Sequence, residues 1–107
     1  MRIPQDAIVP REKLLQYLLI FKEKNDKSKF LAQAGFELDN PDTLEAAIRK
    51  LIRENDAVQD RSDDYGTFYR VNGELQGPEG VLSVVTIWLL ALADANYRFI
   101  TLKPDLE

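Results

Sequence analysis

Residues 66–91 decide the fold and have the sequence GTFYRVNGELQGPEGVLSVVTIWLLA. Aromatic and β-branched residues dominate both ends of this stretch, and such residues are typical of strands. Gly77–Gly80 in the middle carries the glycines and the proline of a turn. We therefore predict that 66–76 and 81–91 pair as one long antiparallel ribbon.

A second turn signal lies inside this ribbon, because Asn72-Gly73 also suits a tight hairpin. We prefer the later turn and interpret Asn72-Gly73 as a bulge. The strand signals themselves cover Tyr65–Val71 and Val81–Leu90, and the second of these is apolar enough on both faces to be a central strand. Asp94–Asn96 predicts a turn that leads into a last strand at Tyr97–Leu102.

Helical periodicity precedes the strands. The spacing predicts helices over 10–22 and 28–34, the second ending at Gly35 in a left-handed conformation. A third helix is predicted to begin at Pro41, with Asn40 as its cap. Its apolar residues follow a helical pattern: Leu44, Ala47, Ile48, Leu51 and Ile52.

The order of these elements predicts an α+β fold for residues 1–107 as a single domain. About three N-terminal helices would pack on a three- to four-stranded antiparallel sheet. The polar stretch Glu54–Asp64 is interpreted as the connection between helices and sheet. Tyr97–Leu102 or the strand at Tyr65 would form the exposed edge, which offers a docking surface for another protein.

Composition excludes several kinds of site. The 107 residues carry 14 basic and 18 acidic groups, a net charge of −4, and contain no His and no Cys. Thiol nucleophiles, catalytic triads, histidine acid–base catalysis and the usual zinc sites are therefore excluded within this chain. We expect no cofactor and no metal, and a cytoplasmic location. The uncharged run Val81–Ala93 is shorter than the roughly 18 residues of a membrane-spanning helix, so we expect no membrane insertion.

Polar residues within the predicted strands are the candidates for a site, since a polar group among apolar neighbours needs a partner. Arg70 could bind an anion together with Thr86 or Thr101, or could simply reach a carboxylate such as Glu74. A pocket between helices and sheet lined by Trp88 and Tyr69 would indicate a small-ligand site. The lysine-rich stretch 22–29 and the aspartates near residue 60 are interpreted as solvated surface.

The order of motifs resembles that of a small bacterial family of unknown function. This family is similar to the barnase–EndoU–colicin–RelE class of ribonuclease toxins, which implies helices before a four-stranded antiparallel sheet. The likeness extends over nearly the whole chain and is carried by Ala7–Leu14, Tyr17-Leu18-Leu19, Lys29-Phe30, Gly35-Phe36, Tyr65-Gly66-Thr67, Tyr69, Gly73-Glu74-Leu75, Gly77–Gly80 and Thr86-Ile87-Trp88.

The ribonuclease alternative requires a catalytic set that converges on one face of the sheet: Lys29, Arg70, Thr86 and Thr101. Lys29 would hold the scissile phosphate and Arg70 would stabilise the developing charge. The family pattern has basic residues where this chain has Phe68 and Val85.

Because basic groups of the family pattern are missing, we favour a non-catalytic protein-interaction component, one half of a toxin–antitoxin-like pair. A metal-independent ribonuclease acting on RNA and a small-ligand binder are the alternatives. A homodimer formed through an uncovered strand edge is a further interpretation of the partner.

Overall fold

Four strands form one antiparallel sheet in the computed structural model of the chain, which describes residues 1–19 and 27–106. The strands are β1 (Val58–Asp63), β2 (Gly66–Gly77), β3 (Gly80–Ala91) and β4 (Tyr97–Pro104). They lie in the order β1-β2-β3-β4. The predicted α+β class with an antiparallel sheet is confirmed.

The ribbon of β2 and β3 is paired without interruption, from Gly66 opposite Ala91 to Gly77 opposite Gly80. The predicted turn at Gly77–Gly80 is confirmed. The predicted bulge at Asn72-Gly73 is wrong, because both residues stay in register with β3. A Cβ at Gly73 would lie 2.6 Å from the side-chain nitrogen of Asn55, so this glycine allows the end of the long helix to approach.

The strand β1 was predicted to be a connection. All six of its residues are exposed, and none of them buries an apolar side chain. Backbone pairing with β2 alone defines it, and its register shifts between Gln59 and Ser62. As a consequence, the strand that follows Tyr65 is an inner strand, and the prediction that it forms an edge is wrong.

The edge at β4 is confirmed, but part of it is already paired. Ile8 forms a parallel bridge with Arg98. The N–H of Ile8 donates to the carbonyl of Tyr97 and the N–H of Phe99 donates to the carbonyl of Ile8, both at 2.8 Å. The first half of β4 is therefore not free to accept a partner strand.

Three helical segments precede the sheet in the described part of the chain: a π-helical segment (Lys13–Leu18), α1 (Ser28–Ala32) and α2 (Pro41–Glu54). The first is predicted as an ordinary helix over 10–22. Its backbone instead bonds over five residues, as from the N–H of Leu19 to the carbonyl of Leu14, and residues 20–22 lie outside the described range.

The end of α1 follows the predicted glycine mechanism. Gly35 has φ +88°, its N–H donates to Ala32, and the N–H of Phe36 donates to Leu31. These two bonds form a Schellman motif, in which Leu31 and Phe36 are both buried.

The long helix α2 begins at Pro41, as predicted, and buries the five predicted apolar residues. Asn40 occupies the cap position without a side-chain capping bond. A single hydrophobic cluster joins the N-terminal segment, the helices and one face of the sheet, and the even-numbered side chains of β3, such as Val84 and Trp88, point into it.

The opposite side of the sheet, which we call the open face, carries the odd-numbered side chains of β3. A smaller cluster lies there: Phe68, Leu89 and Ala91 with Ile87 and Ile100. No helical residue of the described ranges belongs to this cluster. Within those ranges, no helix has the length and apolar character needed to cross a membrane.

The close packing of the β2–β3 turn predicts different effects for its two glycines. A Cβ at Gly77 would lie 2.2 Å from the carbonyl oxygen of Ala34, whereas the nearest atom to a Cβ at Gly80 would be 3.7 Å away. Neither glycine has a positive φ, so the available space is what differs. We expect Gly77→Ala to lower the free energy of unfolding by about 1–3 kcal/mol, measured by chemical denaturation.

Gly80→Ala is the matched control and should change the free energy of unfolding by less than about 0.5 kcal/mol. Equal losses for the two variants would contradict the contact between the turn and the end of α1.

Candidate functional site

The four residues of the predicted catalytic set do not form one constellation. Lys29 lies on α1 and is exposed, and Arg70 is exposed on the open face. Thr101 shares the open face with Arg70, since both lie in register with Ile87, one on each side of it. Thr86 points to the other side of the sheet, where it is completely buried.

The hydroxyl of Thr86 is hydrogen-bonded to groups inside the core. It accepts a hydrogen bond from the indole N–H of Trp88 at 2.9 Å and donates to the carbonyl of Val71 at 3.0 Å. Sequence reasoning identified a buried hydroxyl that needs a partner, and both partners lie within the core. The geometry required by the ribonuclease alternative, with Arg70 and Thr86 on one face, is absent.

The small-ligand alternative required Trp88 and Tyr69 to line a pocket. Trp88 is completely buried, and its ring meets Phe99 edge-on at a centroid distance of 5.4 Å. Tyr69 packs against Tyr97 at 5.7 Å. Trp88 therefore belongs to the core, and Tyr69 packs against the edge of that core.

The two turns at one end of the sheet expose the most prominent apolar side chains of the strand region. We call this end, formed by the β1–β2 turn (Asp64-Tyr65) and the β3–β4 turn (Leu92–Asn96), the turn end. Tyr65 is 74% exposed and Leu92 is 72% exposed. The N–H of Leu92 donates to the carbonyl of Tyr65 at 2.9 Å, so the two residues are held next to each other.

An aspartate fixes each turn in the same way. Asp63 accepts the N–H of Tyr65 at 2.8 Å, and Asp94 accepts the N–H of Asn96 at 3.0 Å. Both are Asx turns, in which the side-chain carboxylate of an aspartate accepts the backbone N–H of the residue two positions later. Ala95 completes the second turn with φ +58°, a conformation that is costly for a residue with a Cβ.

An arginine close in the chain holds each aspartate, Arg61 on β1 and Arg98 on β4. Arg61 contacts Asp63 at 2.9 Å, and Arg98 forms an ion pair with Asp94. The backbone N–H groups of the turns, together with these guanidinium groups, hold the pKa of both carboxyls below the ordinary value. Both aspartates therefore keep their charge to a lower pH than an ordinary aspartate.

The turn end continues into the apolar cluster of the open face. Ala91 directly precedes Leu92, and Phe68 lies under the guanidinium of Arg61 at 4.0 Å. The Nε of Arg98 is buried and has no hydrogen-bond partner within the described ranges. The turn end thus combines two protruding apolar side chains with a polar rim.

Comparison with known proteins identifies a family for the chain. The family described as "Domain of unknown function (DUF6883)" matches residues 4–105. The chain belongs to the DUF6883 family. No curated protein and no solved structure matches it, so these comparisons do not support the resemblance to ribonuclease toxins.

Sequence reasoning reached a functional role at the turn end of this DUF6883 domain only through Tyr65, as the start of a strand that could form a docking edge. The turn at Asp94–Asn96 was predicted and is confirmed. Asp63 was interpreted as part of solvated surface, and Leu92 only as part of the uncharged run Val81–Ala93. The sequence signal for both turns is the spacing of each aspartate from the residue that it bonds: Asp63 precedes Tyr65 by two positions, and Asp94 precedes Asn96 by two. This spacing is typical of Asx turns and could have indicated two rigid turns.

The buried hydroxyl of the DUF6883 domain gives a direct stability prediction. Thr86→Val keeps the shape of the side chain but leaves the indole N–H of Trp88 buried without an acceptor. We expect the free energy of unfolding to fall by about 1–3 kcal/mol, measured by urea denaturation.

Thr101→Val is the control, because this hydroxyl is only partly buried and accepts a bond from Lys27 at 2.7 Å. Its ammonium partner can be hydrated instead, so the loss should be smaller. A Thr86→Val protein as stable as the wild type would refute the structural role of this hydroxyl.

Proposed function

We propose that this chain is a non-catalytic protein-interaction component that acts as one domain and docks on another protein through the turn end. The observation that carries the proposal is the adjacent, rigidly held and largely exposed pair Tyr65 and Leu92. Tyrosine is enriched at the energetic centres of interfaces, because it supplies a large contact area at a small cost in side-chain entropy.

The rigidity of the two turns supports docking at this end. A partner that binds a mobile loop must order it, which reduces affinity, whereas preformed turns avoid most of that loss. Two Asx turns and two ion pairs already hold Tyr65 and Leu92 in place. Strained backbone such as that of Ala95 is often retained where a binding loop needs one conformation.

The proposal extends to the type of assembly. One half of a two-protein pair of the toxin–antitoxin kind is the form that we propose, and its support is the resemblance of the motifs to toxin-like families. The missing basic residues at Phe68 and Val85 favour a binding role over catalysis.

Loss of the exposed pair should abolish docking. The wild-type chain should recover its partner from extracts of its native cells. We expect the double variant Tyr65→Ala, Leu92→Asp to recover at least about tenfold less of this partner. Both side chains are exposed, so their removal should leave the melting temperature nearly unchanged. Quantitative mass spectrometry of the co-purified proteins is the measurement.

Leu38→Asp is the matched control, because Leu38 is 45% exposed in the α1–α2 connection and is not part of the turn end. It should retain the partner. A partner that the double variant recovers as well as the wild type, or no recovered partner at all, would count against the proposal.

The ribonuclease alternative has its own test. A metal-independent ribonuclease would cleave labelled total RNA in the presence of EDTA, and Arg70→Ala would lose this activity. Because Arg70 and Thr86 lie on opposite faces, we expect no cleavage above that of an identically prepared blank. Cleavage by the wild type that the variant lacks would overturn the non-catalytic proposal.

A further inference from the structure

The open face carries charged side chains that have no partner within one copy of the chain. Arg70 and Lys103 on this face form no ion pair in the part of the chain that the structure describes. The same holds there for the carboxylates of Asp60 and Glu74. Two cations and two carboxylates are therefore available to a partner surface of equally mixed charge.

Two of these groups are arranged symmetrically. Arg70 and Glu74 lie on β2, and Asn72 is midway between them. All three are exposed and share one face, because side chains alternate along a strand. Each charged residue is therefore about 7 Å along the strand from Asn72, in opposite directions.

We propose that a second copy of the chain docks on the open face about a two-fold axis that passes over Asn72, perpendicular to the strands. Such an axis reverses the strand direction, so that Arg70 of one copy lies over Glu74 of the other. The contact occurs twice, as in every isologous interface. Unpaired charges of one copy thus become the partners of the other.

The side-chain amide of Asn72 donates to the carboxylate of Asp105 at 3.1 Å beside the axis, and apolar side chains lie around this bond and flank the charged groups. Val85 is the cross-strand neighbour of Asn72 and lies close to the axis. Val58 pairs with Arg70 and Val81 with Gln76, which places both valines on the open face, and each is 53% exposed. Two sheets packed face to face in this way keep all strand hydrogen bonds and stand about 10 Å apart.

The size of the face predicts a weak dimer. Strand spacing and rise give the open face an area of roughly 500 Å² per copy, or about 1,000 Å² in total. This is near the lower limit for a specific interface. We therefore expect a weak, concentration-dependent monomer–dimer equilibrium.

Lys103 opposes the dimer in this arrangement. It lies in register with Val85, close to the axis, so the Lys103 side chains of the two copies approach each other. Like charges at such a position reduce affinity. Lys103→Gln should therefore strengthen the dimer, whereas a site that binds carboxylates of another protein would be weakened by the same change.

Sedimentation equilibrium with charge-reversal variants tests the proposed axis. Arg70→Glu alone and Glu74→Arg alone should each weaken the homodimer at least about tenfold, because like charges then face each other twice. An equimolar mixture should form a heterodimer, since every contact again joins opposite charges. The double variant Arg70→Glu, Glu74→Arg should regain the homodimer.

Glu54→Arg is the matched control, because it reverses an exposed carboxylate on α2 and should leave the dimer constant unchanged. Circular dichroism and melting temperature show that each variant is folded. The double variant Tyr65→Ala, Leu92→Asp should dimerise normally. Loss of docking to another protein at the turn end is therefore distinguished from loss of dimerisation at the open face.

A wild-type chain that is monomeric at millimolar concentration overturns the proposal. A dimer that neither single reversal weakens, or a mixture of the two reversals that stays monomeric, overturns it equally.

Discussion

The contact between the β2–β3 turn and the end of α1 is the constraint on which the rest of the structure depends. The N–H of Glu79 donates to the carbonyl of Ala34 at 2.9 Å, and Gly77 leaves no space for a side chain at the same place. This contact fixes one end of an uninterrupted antiparallel ladder against the helical layer. The register of the ladder then determines which side chain of each strand meets the core.

The alternation of the strands converts this register into two different surfaces. Thr86 and Trp88 point to the helices and bond to each other, while Val85 and Ile87 point to the open face. A shift of one residue would exchange the two sets and bury Arg70, at a large cost in desolvation. The same alternation places Arg70 and Thr86 on opposite faces.

The turn end and the open face use charge differently. At the turn end, Arg61 and Arg98 are engaged with aspartates of the turns, so their charge maintains local geometry. On the open face, Arg70 and Glu74 have no such partner within one copy. We propose the first arrangement as a docking surface for another protein, and the second as a surface whose charges are complementary to its own copy.

Local patterns determined most of the secondary structure. The apolar face of α2, the glycine end of α1, the turn at Gly77–Gly80 and the turn at Asp94–Asn96 are all local devices, and each is confirmed. The segment predicted as a helix over 10–22 is helical in its described part, but Lys13–Leu18 has π-helical bonding in place of the ordinary α-helical pattern.

Tertiary structure alone decided the strand β1, the pairing of Ile8 with β4 and the faces on which polar residues lie. The sequence carries no strand signal at Val58–Asp63, because none of these side chains is buried. Only the backbone hydrogen bonds to β2 make this segment a strand. The candidate site likewise combines features set by the local sequence with features set by the tertiary structure. The sequence by itself determined the turn at Asp94–Asn96 and the polar Arg70 within a strand, because turn chemistry and strand composition are local. Which side chains meet, and which stay exposed, depended on the register between strands distant in the chain.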